Sequence, residues 1–215
     1  MAHIHLPDGS FTLFWVLFWW ACALGAVGIA LWLARRRRFG GRELTVAAFV
    51  TAAAFAAFQL EIPVFGGVHL NLTPLIGILA GPVLGSLVVF IVNILSAAIG
   101  HGGWGLIGAN ILVNGSEVVT AWLLFRGLSR IVPGLFARAG VATFGGLLTG
   151  NVAMVAIILV SGIQGVNQSP AQVLAGLSLV VAVNLGIAVL EAFITGSVVE
   201  YIGKVRPALL GEGAR

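Results

Sequence analysis

The chain has 215 residues, of which 60% are hydrophobic and 8% charged, and its mean hydropathy is +1.10. A soluble domain carries about 25% charged residues, so this chain cannot cover a water-facing surface, which excludes an ordinary soluble enzyme and a disordered chain. The isoelectric point near 10.6 and the net charge of +4 do not indicate nucleic-acid binding, because 11 basic residues in so apolar a chain serve better as topology signals for a bilayer.

The apolar runs are continuous rather than alternating, which excludes a membrane β-barrel. The class that remains is an all-α integral membrane protein, read as one domain over residues 1–215. The lone cysteine, Cys22, lies in an apolar run and offers no disulfide framework. The 30 glycines, about twice the usual share, suit membrane helices that pack closely.

The start, Met1-Ala2-His3-Ile4-His5-Leu6-Pro7-Asp8-Gly9, has no Lys or Arg and leads into no short apolar core with a small-residue cleavage site. No cleavable signal peptide is therefore expected. A membrane helix needs roughly 20 mostly apolar residues. In chain order the candidates are Phe11 to Ala34, Leu44 to Leu60, Val64 to Gly100, Leu106 to Phe125 with Glu117 inside it, Val141 to Ile163, and Val173 to Val199 with Glu191 inside it.

The stretch from Val64 to Gly100 reads either as one long helix or as a hairpin turning at Gly81-Pro82. The basic residues decide. All 11 fall in three clusters: Arg35 to Arg38 with Arg42; Arg126, Arg130 and Arg138; and Lys204, Arg206 and Arg215. A hairpin gives seven spans and puts every cluster on one face, as the positive-inside rule prefers. The predicted topology is thus a seven-helix bundle with the N-terminus outside and the C-terminus cytoplasmic. The first arm, about Leu70 to Ala80, is short for a span and requires burial within the bundle.

This topology sends all four histidines, His3, His5, His69 and His101, to the outer face. Neutral imidazole is the commonest transition-metal ligand and favours zinc, copper, iron and nickel. The plainer reading of any one of them is an interfacial residue. His3 stands apart because it lies close enough to the α-amine to form fused chelate rings. With Met1 retained, the amine, two deprotonated amides and His3 supply four in-plane nitrogens. With Met1 removed, which a small Ala2 permits, the amine, one amide and His3 supply three, and a His from elsewhere completes the square. Planar nitrogen sets suit Ni(II) and Cu(II).

At this point the sequence resembles a family. The first nine residues are similar to the Met-His-Ile-Pro-Asp-Gly start of the cobalt/nickel substrate-binding membrane components of energy-coupling-factor transporters, the CbiM/NikM family. Pro63-Val64-Phe65-Gly66-Gly67-Val68-His69 resembles the family's outer loop, whose His completes the metal site. Gly108-Ala109-Asn110-Ile111-Leu112 with Gly115 resembles its Gly-Ala-Asn helix start, and Glu191-Ala192-Phe193-Ile194-Thr195 its Glu-x-x-Ile-Thr segment.

The resemblance spans nearly the whole chain. It implies seven helices, an outer metal site carried over onto His3 and His69, which Met1 and Ala2 join through the N-terminal chelate, and Co2+ or Ni2+ as cargo with no further cofactor. Removal of Met1 restores the family register, and with Met1 retained His69 is either axial or unused. It also implies residence in a prokaryotic cytoplasmic membrane. The implied partners are a transmembrane coupling subunit, ATPase subunits and a small accessory membrane subunit. The chain departs from the pattern in the inserted Ala2, in Asn184 where a His is common, and in Gly100-His101-Gly102-Gly103 where the family has a Gly-Asp-Gly-Gly-like stretch. His5 and His101 stand as additional metal candidates.

Intramembrane carboxylates are functional candidates by default. Asn110, Asn114 and Glu117 recur at spacings of four and three and share a helix face. Asn184 and Glu191, seven apart, share another. With Asn71, and with Asn93 in the same network, they read as a polar shell that orients the N-terminal segment and the ligand His. The alternative is interhelical hydrogen bonding that holds the bundle.

Ala48, Ala52 and Ala56 form a small-residue stripe that either packs inside the chain or, as the resemblance implies, docks on the coupling subunit. The Trp residues, Trp15, Trp19 and Trp20 among them, read as interface or packing residues. No phosphate loop, Gly-x-Ser-x-Gly or His-Glu-x-x-His is present, so ATP for transport must be hydrolysed elsewhere. Two other readings stay open: an intramembrane enzyme using Glu117 or Glu191, and a structural subunit without a ligand.

Overall fold

A computed structural model of the chain describes residues 8–59, 61–62, 68–100, 103–166 and 169–210. Six helices carry the fold: α1 (Leu13–Arg37), α2 (Gly41–Phe58), α3 (Thr73–Ala98), α4 (Ile107–Gly127), α5 (Leu135–Ser161) and α6 (Pro170–Val205). Two short 3₁₀ turns, Leu128–Arg130 and Pro207–Leu210, follow α4 and α6. Between α2 and α3, β1 (Glu61–Ile62) pairs antiparallel with β2 (Val68–His69), with Glu61 opposite His69. All six helices are long and apolar enough to cross a bilayer.

Local signals set several boundaries. At the start of α2, Glu43 Oε2 accepts the Gly40 N–H at 2.9 Å. At the start of α6, Ser169 and Gln172 cap one another reciprocally, and this box begins the helix before the expected Val173. The 36 residues of α6 span roughly 54 Å at 1.5 Å per residue, longer than the ~30 Å apolar core of a bilayer.

The helix count is six among the described residues, not seven. The difference lies in Val64 to Gly100. Its helical part forms the single element α3, interrupted at Gly81 with φ 74 and ψ 177 just before Pro82. Glycine takes this conformation without a Cβ clash, and proline cannot donate the helical hydrogen bond that would bridge the break.

The break is also a reversal in space. A Cβ at Gly85 would lie 3.4 Å from Ile76 Cγ2 and 3.7 Å from its carbonyl oxygen, whereas nine residues of continuous helix span roughly 13.5 Å. The arm Thr73–Ala80 covers only about 12 Å on the same geometry and does not cross alone. It is buried through Thr73, Pro74, Ile76, Gly77 and Ile78, as a short intramembrane segment requires.

Helix α4 lies at the centre, packed against α1, α3 and α5, while α6 packs on α5 and α2 on α3. Glycines set the closest approaches. A Cβ at Gly77 would overlap the Val118 carbonyl, and one at Gly108 would sit 2.5 Å from the Trp20 backbone nitrogen. At α2 the buried face is Ala47, Ala54 and Phe58. Ala48, Ala52 and Ala56 are all exposed, so that stripe does not pack inside the chain.

The two ends of the bundle differ in charge. Arg37, Arg42 and Arg126 line one cavity with Gly81, Pro82 and Leu210. Near it the buried Arg138 guanidinium lies 4.5 Å over the Phe125 ring. At the other end Asp8 Oδ1 accepts the Gly105 N–H at 2.9 Å, and the Ser10 carbonyl accepts the Gln164 N–H at 2.7 Å. Trp19 Nε1 donates to Ser161 Oγ there, and Trp20 Nε1 to the Trp104 carbonyl. These two Trp residues thus tie α1 to the ends of neighbouring elements. The chain enters α1 at the end opposite the arginines.

Candidate functional site

Two carboxylates of the apolar helices, Glu117 on α4 and Glu191 on α6, are buried inside the bundle. Glu117 stands ten residues from either end of α4 (117 − 107 and 127 − 117), about 15 Å from each at 1.5 Å per residue. Its side chain and that of Glu191 are fully buried, with 0% exposure. Burying carboxylates without partners would be prohibitive in a low-dielectric interior, and both are held by the segment that follows β2.

That segment is Leu70 to Thr73. The Asn71 N–H donates to Glu191 Oε1 at 3.0 Å, and the Leu72 N–H donates to Glu191 Oε2 at 3.3 Å. The Asn71 side-chain amide donates to Asn114 Oδ1 and to Glu117 Oε2, each at 3.1 Å. The Thr73 hydroxyl donates to Glu117 Oε2 in a short hydrogen bond. The arrangement has a local cause. Leu72, the residue preceding α3, takes a left-handed conformation with φ 51, and the N–H groups entering a helix lack intrahelical acceptors. Glu191 supplies those acceptors from α6.

Gly150 of α5 completes the enclosure. A Cβ there would overlap the Glu117 Oε1 atom. Strand β2 ends at His69, two residues before Asn71, so the hairpin bearing His69 leads directly into this clamp.

Of the polar shell expected from sequence, Asn71, Asn114, Glu117 and Glu191 come together. Asn184 does not join them: its amide donates to Asn151 Oδ1 at 3.0 Å, a second polar pair between α5 and α6. Asn93 does not join either. It donates to the Val89 carbonyl of its own helix at 2.9 Å, which satisfies it without a partner helix. Asn110 is buried in the first turn of α4, on the same helix as Asn114.

Thr73 and Asn151 belong to these networks and were not singled out from sequence. Thr73 precedes a proline at the start of a helix, where Thr is ordinarily a turn residue. Asn151 carries a signal, being the polar residue in the middle of an uncharged span.

Met1, Ala2, His3, His5 and His101 lie outside the described residues, and His69 enters through its backbone pairing with Glu61 alone. Among the described residues no group of three or more His, Cys, Asp or Glu forms a metal cluster.

The chain matches the CbiM family, described as the cobalt uptake substrate-specific transmembrane region, over residues 5–209. A cobalt transport protein CbiM of Sorangium cellulosum is 30% identical over 96% of this chain and 94% of its own length. A putative cobalt transport protein CbiM 1 of Methanocorpusculum labreanum is 27% identical over 96% and 92%. A cobalt transport protein CbiM of Geobacter sulfurreducens is 28% identical over 98% of this chain, which spans 63% of that relative's length.

A solved transition metal transporter superposes with a TM-score of 0.75 at 17% identity, covering 94% of this chain and 93% of the other. A truncated form superposes with a TM-score of 0.75 at 18% identity, covering 94% and 99%. These two likenesses show the fold. CbiM proteins are transport components rather than enzymes, and the intramembrane-enzyme reading falls with that finding. With its six apolar helices, this chain is a multi-pass protein of the prokaryotic cytoplasmic membrane and belongs to the CbiM family.

Proposed function

We propose that this chain captures a divalent transition-metal ion, Co2+ or Ni2+, on the outer face of the membrane, as the substrate-binding component of an energy-coupling-factor importer. The ion is cargo, held by the α-amine and backbone of Met1 and Ala2, by His3 and by His69. His5 and His101 are additional candidates. The observation that carries the reading is the clamp on Asn71. A loop meant to place a ligand His must be held in one geometry, and the partners that orient metal ligands are typically worth 10–100-fold in affinity. Glu191, Glu117 and Asn114 hold the residues that follow His69, and Asn110 and Asn184 are further candidates for a supporting role.

The proposed orientation is N-terminus outside and C-terminus cytoplasmic, with the arm Thr73–Ala80 as a partial seventh segment. The gathering of Arg37, Arg42 and Arg126 at one end supports it. ATP hydrolysis falls to partner subunits. Ala48, Ala52 and Ala56, exposed along α2, would dock on the transmembrane coupling subunit, where small side chains permit close approach. A small accessory membrane subunit completes the proposed assembly.

Equilibrium binding of Co(II) and Ni(II) to the purified protein tests the reading. His3→Ala and His69→Ala are each expected to weaken binding at least tenfold, as is acetylation of the α-amine. Unchanged affinity in both variants would sink the capture model. Mass spectrometry of the mature N-terminus with metal bound fixes the chelate register.

A further inference from the structure

We propose that the cavity at the basic end of the bundle is a binding site for a phosphate group carried by an anionic phospholipid. This goes beyond metal capture and does not depend on it. The cavity is about 520 Å³ and draws Arg37 from the last turn of α1, Arg42 from the first turn of α2 and Arg126 from the last turn of α4. Three arginines from three separate helices thus line one cavity beside the Gly81 reversal.

Glu43 is the one acid among the lining residues, so three Arg less one Glu leave the lining at +2. The Glu43 carboxylate is turned to the Gly40 N–H at 2.9 Å. The single ion pair among the described residues is Lys204 with Glu200, so no carboxylate there neutralises the three guanidinium groups. The Arg126 guanidinium lies 5.2 Å from the Trp122 ring, which orients it without consuming its charge.

Guanidinium groups bind phosphate oxygens through paired, charge-assisted hydrogen bonds. Basic pockets between membrane helices suit anionic headgroups. Apolar walls from Leu79, Leu84 and Leu209 flank the arginines, and these favour a lipid, whose glycerol and acyl carbons need such walls, over a free anion. Bound there, one headgroup would bridge α1, α2 and α4 around the turn of α3.

Native mass spectrometry of the delipidated full chain, titrated with phosphatidylglycerol or phosphatidylcholine, tests this. Phosphatidylglycerol is expected to bind at least tenfold tighter. The double variant Arg42→Gln/Arg126→Gln should erase that preference. Arg35→Gln/Arg36→Gln removes the same charge from residues outside the cavity lining and should keep it. The double variant Arg42→Lys/Arg126→Lys, which preserves charge, should retain a weakened preference; if the Gln pair fails to fold, an undiminished preference in the Lys pair overturns the site. Equal binding of the two lipids overturns the proposal, as does equal loss in the control pair. Displacement of phosphatidylglycerol by inorganic phosphate at equal concentration overturns the lipid source.

Discussion

The backbone N–H of Asn71 meets the carboxylate of Glu191 at 3.0 Å, across 120 residues of sequence. The adjacent Leu72 N–H reaches the other oxygen of the same carboxylate. One side chain of α6 thus caps the entry to α3, and the strand that ends at His69 runs into that cap. Two buried carboxylates, Glu191 on the backbone and Glu117 on the Asn71 and Thr73 side chains, grip one short segment from opposite helices.

Glu191→Ala removes both acceptors and leaves two N–H groups at the entry to α3 without their partner. Metal affinity is expected to fall 10–100-fold, the usual effect of losing a group that orients a ligand, with Glu191→Gln intermediate because one amide oxygen remains. Isothermal titration with Ni(II) beside circular dichroism checks this. Full affinity in a folded Glu191→Ala protein would show that the clamp does not position the ligand loop.

Asn71→Ala keeps the backbone bonds to Glu191 but strips Glu117 and Asn114 of a shared donor. A buried acceptor left unpaired costs about 1–3 kcal/mol, more when charged. The melting temperature in detergent should drop by several degrees, and Asn71→Asp, which replaces the amide donor with a carboxylate facing Glu117, should fall further. Thermal unfolding of the three proteins side by side measures both effects.

Gly150→Ala inserts a methyl group where the Glu117 carboxylate lies. Overpacking of this kind costs about 1–3 kcal/mol, and here it also displaces the acceptor of Asn71 and Thr73. Gly115→Ala is the control: a Cβ there meets nothing within 4 Å, and in a helix the change should be neutral or stabilising by up to ~1 kcal/mol. A destabilised Gly150→Ala beside an unchanged Gly115→Ala is the expected result in a melting assay.

Much of this arrangement was legible in the sequence, for physical reasons. Polar residues are so costly in a bilayer that Asn114, Glu117 and Glu191 mark themselves by standing in apolar runs, and the spacing of Asn110, Asn114 and Glu117 gave their shared face. Pairing across the fold was not legible. Asn184 lies seven residues from Glu191 yet bonds to Asn151, because the chain entering α3 brings backbone donors only to the level of Glu191. The Gly81-Pro82 pair and the basic clusters placed the reversal and marked the arm before it as short; the pairing of Val68–His69 as a strand and the start of the helix only at Thr73, which leaves an arm of about 12 Å by helical rise, carried no such signal. The length of α6 was missed because its capping box lies outside the apolar window.

The proposed chelation through deprotonated nitrogen predicts binding that depends on pH. If the α-amine and the amides are ligands, metal must displace their protons, so acid would compete with metal and lower affinity, while rising pH would restore it. Affinity for Ni(II) measured between about pH 6 and about pH 8 should rise by more than tenfold, and by less once the α-amine is acetylated. A flat profile would mean that neither the amine nor an amide is a ligand.

The stripe on α2 separates capture from transport. Ala52 is exposed and flanked one turn away on each side by exposed Ala48 and Ala56, so Ala52→Leu should leave the fold and the metal affinity of the isolated chain unchanged. If the stripe meets a coupling subunit, the added side chain holds the two surfaces apart at the point of closest approach, where small residues allow contact. Co-purification with co-expressed coupling and ATPase subunits should then fall at least tenfold, and cellular Ni(II) or Co(II) uptake with it. Intact assembly with Ala52→Leu, and with Ala48→Leu/Ala56→Leu, would move the docking surface off this face of α2. Loss of assembly together with metal affinity would instead show that α2 supports the polar clamp through α3, the helix against which it packs.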